Sequence, residues 1–263
     1  MEELIGRAAR DLINSKYTIA LTGAGMSTES GIPDFRGPSG IWTKNPEAER
    51  KAYQTYHRFL ENPREYWEER LGGPSLFGDL SVVKPNPGHY ALAEIEKMGI
   101  LKRVITQNID NLHQRAGSNN LLDYHGNTFK LRCADCNVRF DSTEYDLHSL
   151  KEEGKLPPRC KQCGGVIKAD VVHFTEPIPS DVAYKSLEEA QKCDLMLICG
   201  TSAVVYPFAS LPRIARERRT VTIIELNAEP TPLTGEGISD YLIQGKTGEI
   251  LPRIVEAIKK IRQ

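Results

Sequence analysis

No window of the 263-residue chain comes near the ~20 consecutive apolar residues of a membrane-spanning helix, which excludes a helical membrane protein. Neither sign of charge is in excess: 34 basic against 35 acidic residues leave a formal net charge of −1. That balance argues against a broad electrostatic grip on nucleic acid or on an acidic membrane, so no direct nucleic-acid binding is expected. A basic protein substrate stays open, because local fields need not follow the total. Internal repeats and low-complexity segments are missing, which sets aside repeat architectures and biased tails. A secretory leader is missing too. The stretch from Met1 to Lys16 is amphipathic, with Leu4, Ile5, Ala8, Leu12 and Ile13 at helical spacing, but it has early acids and no apolar core segment. The chain is expected in the cytoplasm.

What is present is ordinary for a soluble globular protein, at 26% charged and 40% hydrophobic residues, and long enough for one large domain or two modest ones. The cysteines are few and patterned. Four of the six form the pairs Cys133-x2-Cys136 and Cys160-x2-Cys163, with 23 residues between them. In a cytosolic chain two such pairs read as a zinc site rather than as disulfides. Four thiolates complete a tetrahedral shell and leave no position for water, so one structural Zn2+ ion is expected. Cys193 and Cys199 accompany the apolar run Leu195 to Ile198 and read as buried packing residues.

The stretch Thr22 to Gly37, TGAGMSTESGIPDFRG, follows a β-branched and apolar run, Tyr17 to Leu21, that reads as a buried strand. Gly23 and Gly25 can bring backbone close to a phosphate, and the bare amides of a following helix start could hold a pyrophosphate. The dinucleotide fingerprint is incomplete, because Thr28 stands where its third glycine belongs. A plain tight turn between strand and helix is the competing reading of the glycines. Pro33, Asp34, Phe35 and Arg36 then place a carboxylate, an aromatic ring and a guanidinium in one turn.

Further along, Asn45-Pro46 and Asn62-Pro63 open two helices, and Gly72-Gly73-Pro74 breaks the second. Trp42, Tyr53, Tyr56, Phe59 and Trp67 in this insertion read as core first and as a channel lining second. A helix from Asn86 leads to a strand, Lys102 to Thr106, which ends in Gln107-Asn108-Ile109-Asp110. Ligands in open α/β sheets bind beyond strand carboxyl ends, so these amides and this carboxylate are well placed. A short strand, Leu121 to Tyr124, delivers His125, a side chain suited to base work near neutral pH. Ala169 to Phe174 reads as extended, and the prolines after Glu176 favour backbone able to pair with a peptide. Strands Asp194 to Cys199 and Val221 to Leu226 end in Gly200-Thr201-Ser202 and Asn227-Ala228-Glu229.

Taken in order, GAGMSTESGIPDFRG, TQNIDNLHQRAG, the YHGN around His125, both cysteine pairs, GTSAVVYPFASLP and LNAEPTP resemble the sirtuins, the NAD-dependent protein deacylases, over essentially the whole length. The resemblance implies an α/β fold: a Rossmann-type parallel sheet with a smaller domain made of a zinc ribbon and a helical insertion. Residues 1–37, 85–127 and 169–263 would form the discontinuous NAD-binding domain, and 38–84 with 128–168 the small one. It implies transfer of the acetyl group from lysine to ADP-ribose with release of nicotinamide. Ala24, Gly25, Asp34, Phe35, Arg36, Gln107, Asn108 and Asp110 match positions used around NAD, with Asn108 near the ribose, Asp110 at the carboxamide and Phe35 over the reacting face. Gly200, Thr201, Ser202, Asn227, Glu229 and Lys246 would hold the adenosine side. His125 would be the general base, with Asn108 beside it in catalysis. An acyl-lysine peptide would add as a strand between Val172, His173 and Phe174 on one side and Val204, Val205 and Tyr206 on the other. ADP-ribosyl transfer, NAD hydrolysis, a non-catalytic binding module and a dehydrogenase are the rival readings.

Two departures stand out. Thr175 replaces the usual glycine ahead of Glu176, so a different backbone path is expected there. His173 is expected to face solvent. Relatives that remove succinyl or malonyl groups carry a Tyr-x-x-Arg pair, and aligning on Asn62-Pro63 and Trp67 puts Arg70 and Gly73 at those positions instead. Acetyl-lysine peptides are therefore expected to turn over faster than succinyl-lysine peptides. Side-by-side initial rates measure this, and efficient desuccinylation with weak deacetylation would overturn it.

Overall fold

The computed structural model describes residues 1–37, 40–73, 76–218 and 220–263. Pro74, the last member of the expected helix break, lies outside them. The amino-terminal helix α1 (Glu2–Asn14) leads into strand β1 (Thr18–Thr22). The insertion follows as α2 (Ile41–Lys44), α3 (Pro46–Glu61) and α4 (Pro63–Gly72). Helix α5 (Pro87–Lys97), strand β2 (Leu101–Thr106), helix α6 (Leu112–Arg115) and strand β3 (Leu121–Asp123) restore the alternation of strand and helix. Strands β4 (Gly126–Cys133) and β5 (Arg139–Asp141), helix α7 (Leu147–Glu152) and strand β6 (Ile167–Val171) make the cysteine module. The chain closes with α8 (Ser180–Lys192), β7 (Leu195–Cys199), α9 (Ser210–Glu217), β8 (Thr222–Asn227), α10 (Pro232–Gly235), β9 (Tyr241–Gln244) and α11 (Thr247–Arg262).

Three helices start by one device. Asn45, Asn62 and Asn86 each accept a backbone amide of the first turn through the side chain, from Ala48, Glu65 and Gly88 respectively, and each is followed by proline. Proline sits there without loss, since the first amides of a helix have no carbonyl to reach.

Among the described residues six strands form a parallel sheet in the order β3-β2-β1-β7-β8-β9. The strands at its centre alternate between two apolar layers, as a pleat with both faces covered requires. Ala20, Leu195, Leu197 and Cys199 face α1, α5 and α11, packing with Leu12, Ile95 and Ile254. Ile19, Leu21, Met196 and Ile198 face the other way, with Cys193, Phe208 and Leu211. Cys193 and Cys199 are thus packing residues. A separate three-stranded antiparallel sheet, β5-β4-β6, carries the cysteine module, and its apolar face packs against Phe59, Tyr66 and Trp67 of α3 and α4. This sheet reaches from Gly126 to Val171, past the bounds of 128 and 168 expected for the module, because Gly126 pairs with Val171. Of the insertion's aromatics, Trp42, Phe59 and Trp67 are buried and Tyr53 is exposed.

The strand order reverses between β1 and β7, and there two loops meet backbone to backbone. The Gly25 amide donates to the Gly200 carbonyl at 2.8 Å. A Cβ on Gly25 would lie 2.9 Å from the Gly200 Cα, and one on Gly200, whose φ is +61°, would lie 2.2 Å from the Met26 nitrogen. No α-helix follows: Ala24–Met26 and Thr28–Ser30 are single 3₁₀ turns, the second ended by Gly31 at φ 89°. The expected set of bare helix-start amides is not formed, since Gly23, Gly25, Met26 and Ser27 all donate to carbonyls within this loop pair. The glycines serve the contact between loops. Gly200→Ala should therefore lower unfolding free energy by about 3 kcal/mol or more, from left-handed strain plus overpacking. Gly117→Ala, with φ +99° and nothing within 4 Å, should cost only the strain, about 1–2 kcal/mol. Urea midpoints at unchanged slope measure both.

Candidate active site

Carboxyl ends of parallel strands converge on one cavity of about 1540 Å³. Thr22 at the end of β1 leads to Ala24 and Gly25, β2 to Gln107, Asn108 and Asp110, and β3 to His125. Strand β7 leads to Gly200, Thr201 and Ser202, β8 to Asn227 and Glu229, and β9 to Lys246. All these residues except Thr22 line the cavity, as do Asp34, Phe35, Arg36, Val172, His173, Phe174, Val204, Val205 and Tyr206. Every cofactor and peptide position expected from sequence is in this one space, while the cysteines lie elsewhere.

The polar groups at the switch point hold one another. Asn108 Nδ2 donates to the Gly23 carbonyl at 2.9 Å and to Ser27 Oγ at 3.1 Å, leaving Oδ1 without a partner among the described residues. Ser27 Oγ donates at 2.6 Å to Asp110, whose other oxygen accepts the Leu112 amide at 2.9 Å. Burial pushes the Asp110 carboxyl upward, opposed by the Ser27 hydrogen bond. Gln107 Nε2 donates to Thr201 Oγ1 at 2.8 Å and Asn227 Nδ2 to the Thr201 carbonyl at 3.2 Å, linking the ends of β2, β7 and β8. Burial lowers the His125 imidazole to about 4 against a hydrogen bond at the Gln107 backbone, so the ring is neutral at neutral pH.

Asp34 Oδ1 accepts the Gly37 amide at 3.0 Å, and the Asp34 and Phe35 carbonyls accept from Ile41 and Trp42, which folds the loop back on α2. Arg36 lies 4.6 Å over the Trp42 ring and makes a loose ion pair with Glu49 at 3.6 Å. Phe35 packs 4.6 Å from Trp42 and edge-on to Phe77 at 5.7 Å. Trp42 lies 5.3 Å from Phe174, which stacks on Tyr53 at 4.3 Å. Trp42 is thus both core and cavity wall.

Of the two departures read from sequence, His173 resolves differently from expectation. Thr175 has φ 68°, so the backbone follows the left-handed path that glycine takes freely, with a β-branched residue bearing the strain. His173 turns inward: its ring meets Tyr66 edge-on at 5.8 Å with Nε2 3.3 Å from the Tyr66 hydroxyl. Burial and then the Lys168, Arg70 and Arg132 cations push it down to about 3. A solvent-facing ring would forgo that packing.

The four cysteine sulfurs lie within 4.8 Å of one another, with Cys133 and Cys163 at 3.5 Å and Cys136 and Cys160 at 3.8 Å. Tetrahedral Zn–S bonds of about 2.3 Å require sulfurs about 3.8 Å apart, so the set fits one zinc ion. The two pairs lie in two turns of the same kind. Asn137 (φ 59°) and Gly164 (φ 76°) follow the second cysteines in left-handed conformation, and their amides return to the carbonyls of Cys133 and Cys160. Backbone amides of Cys136 and Gln162 point to the Cys133 and Cys160 sulfurs at 3.5 and 3.4 Å.

The model of the Sir2 family matches residues 23–207, from the glycine loop through the segment Val204 to Tyr206. The chain belongs to the Sir2 family. It is 46% identical to NAD-dependent protein deacylase 2 of Archaeoglobus fulgidus, covering 100% of this chain and 99% of that one. It is 44% identical to an NAD-dependent protein deacetylase of Saccharolobus solfataricus over 97% of each. Among solved structures, a Sir2 homologue in complex with NAD is 38% identical, with TM-score 0.75, covering 100% of this chain and 95% of that one. A Sir2 protein bound to a myristoylated histone peptide is 40% identical, with TM-score 0.67, covering 100% and 99%.

Two contributors to this Sir2 cavity went unnoticed in the sequence. Ser27, which bridges Asn108 and Asp110, looked like one hydroxyl among four in its loop. Phe77 sits in the insertion with no periodic neighbours, and in the fold it lies edge-on to Phe35 in the cavity wall and packs against the cluster of Ile32, Leu80 and Leu112. None of the described helices is long and apolar enough to cross a membrane. In this Sir2 chain Cys133 and Cys160 are buried within the apolar cluster that also holds Trp67 and Leu131. Stripping metal with a strong chelator should therefore lower the melting temperature by 10 °C or more, from a starting metal content near one zinc per chain. Metal analysis with thermal unfolding measures this, and an unchanged melting curve on a metal-free protein would refute a structural ion.

Proposed function

We propose that this Sir2 protein is an NAD-dependent protein-lysine deacetylase that moves the acetyl group of lysine to ADP-ribose and releases nicotinamide. The observation that carries the reading is the meeting of base and peptide segment. The Val172 amide donates to the His125 carbonyl at 2.8 Å, so the residue that would accept a proton is tied to the backbone that would hold the acyl-lysine. NAD, when bound, supplies an electrophilic ribose carbon and a nicotinamide leaving group.

The chain's own residues orient and deprotonate. Asn108 holds its Nδ2 to Gly23 and Ser27 and offers Oδ1 to a ribose hydroxyl. Asp110, fixed by Ser27 and the Leu112 amide, faces the carboxamide end. The neutral His125 ring has a lone pair for a hydroxyl proton. Phe35, braced by Trp42 and Phe77, excludes water from the reacting face. The loosely paired Arg36 favours the diphosphate, and Lys246 with Asn227 and Glu229 serves the adenosine side. Val172 to Phe174 and Val204 to Tyr206 would take the peptide by main-chain pairing, which reads acyl-lysine with little dependence on flanking sequence. We assign NAD to the domain of the parallel sheet and the peptide to its border with the small domain. The shared core of α3, α4 and the cysteine sheet supports that division. Four cysteines kept as metal ligands fit a reducing compartment, the cytoplasm.

Nicotinamide release should require an acetyl-lysine peptide and yield deacetylated peptide one for one. His125→Ala should lower that turnover by a factor of about 10² to 10⁴. Release without peptide would move the assignment to NAD hydrolysis. The base is lost only as pH falls through the imidazole pKa of about 4, so kcat/KM should stay flat from pH 8 down to about 6. A fall centred on the ordinary histidine value would place His125 in a wetter environment.

A further inference from the structure

Behind the adenosine side of the cavity sits a buried carboxylate that the proposed chemistry does not use. Side chains alternate along β8, so Ile223, Glu225 and Asn227 point to one layer, the one that holds Phe208, Leu211 and Leu233. Glu225 is fully buried there and forms no ion pair among the described residues. An apolar side chain of its size would be the more stable occupant of such a layer.

Three hydroxyls hold it. Glu225 Oε1 accepts from Thr234 at 2.7 Å and from Ser239 at 2.5 Å, and Oε2 accepts from Thr231 at 2.6 Å. Thr231 Oγ1 and Thr234 Oγ1 in turn accept the Leu233 and Thr231 amides at 3.2 and 3.3 Å, which leaves their protons for Glu225. These residues belong to α10 or flank it, so the carboxylate ties that helix to β8.

The fourth donor lines the cavity. Asn227 Nδ2 reaches Glu225 Oε2 at 3.3 Å and the Thr201 carbonyl at 3.2 Å. A carboxylate and a carbonyl only accept, so the amide can face the two of them in one orientation, nitrogen inward and oxygen away. Asn227 Oδ1 has no partner among the described residues. The main chain is fixed as well, because the Asn227 carbonyl accepts the Gly245 amide at 2.9 Å.

We infer that Glu225 is a positioning residue for the nucleotide: by taking one hydrogen of Asn227 Nδ2 while Thr201 takes the other, it sets the amide so that Oδ1 is presented to the cavity as an acceptor for a hydroxyl of the adenosine. This rests on the NAD-dependent reading. Its tests read the amide and nucleotide binding, not turnover.

In the wild-type protein, side-chain amide exchange followed by NMR should be about 100-fold slower at both Nδ2 protons of Asn227 than at those of the exposed Asn45, with and without NAD. Fast exchange at either Asn227 proton would overturn the proposal. Calorimetry with NAD and no peptide reads the coupling of the pair. N227D sets a carboxylate oxygen against Glu225 and Thr201 oxygens, and NAD should bind about 100-fold more weakly. E225Q can turn its amide nitrogen to the Thr234 and Ser239 hydroxyls, which rotate to accept, so NAD should weaken only about threefold. In the double variant that nitrogen can donate to the new carboxylate, and the loss should be about tenfold, where independent effects would multiply to about 300-fold. Melting curves establish that each variant is folded. Losses that multiply in folded variants, or a folded N227D that binds NAD like wild type, would refute the assignment. A chain with the coupled pair but no deacetylation would refute the function and leave the assignment standing, whereas deacetylation with independent losses would refute the assignment alone.

Discussion

The arrangement of the site depends on two glycine backbones in contact. Where the strand order reverses, the loops after β1 and β7 must leave in opposite directions and yet pass each other closely. At Gly25 and Gly200 they do so with a hydrogen bond of 2.8 Å and no room for a side chain on either. Gly23 adds a third close approach, to the Thr201 side chain. This contact puts the cofactor loop beside Thr201 and Gln107, and through Asn108 and Ser27 beside Asp110. A widening there would separate the polar groups that one cavity now collects.

Burial sets the protonation of the histidines more than any partner does. His125 and His89 are pushed down to about 4 and His173 to about 3, with desolvation the first cause in each. His113 lies well below its ordinary value and faces His89 at 4.8 Å between ring centroids. A cavity walled by neutral imidazoles and aromatic rings has a low local dielectric, in which the few hydrogen bonds aimed at a ligand are strong. Glu225 is fully buried and accepts from Thr231, Thr234 and Ser239, which holds the loop after β8 behind Asn227.

Much of this was legible in the sequence where local chemistry decides. Strand alternation, the asparagine and proline helix starts and the paired cysteines are short-range signals, and each structural element they predict is present. The joint order of motifs carried the family and the list of residues around the cavity. What was missed depends on distant partners. The glycine loop was expected to open a helix, but the Gly23 and Gly25 amides are taken by the end of the neighbouring strand β7 and the loop after it, and those of Met26 and Ser27 by the loop's own carbonyls. His173 was expected outside because nothing adjacent in sequence reveals Tyr66. Thr175 takes the left-handed conformation, and Glu176 beside it is drawn inward by Arg132 and Lys168. Ser27 stood out only once Asn108 and Asp110 were beside it.

The run of rings from Phe77 through Phe35, Trp42 and Phe174 to Tyr53 joins the loop after β1 to the segment after β6. Each ring in it is braced by the next. A rotation of Phe35 therefore changes the surroundings of Trp42, and through it those of Phe174. By thermodynamic reciprocity, whatever free energy the occupant of one side spends in setting Phe35 returns as a changed affinity on the other side. The loop after β1 and the segment after β6 thus share one aromatic partition inside a single cavity, so what settles against one of them is felt at the other.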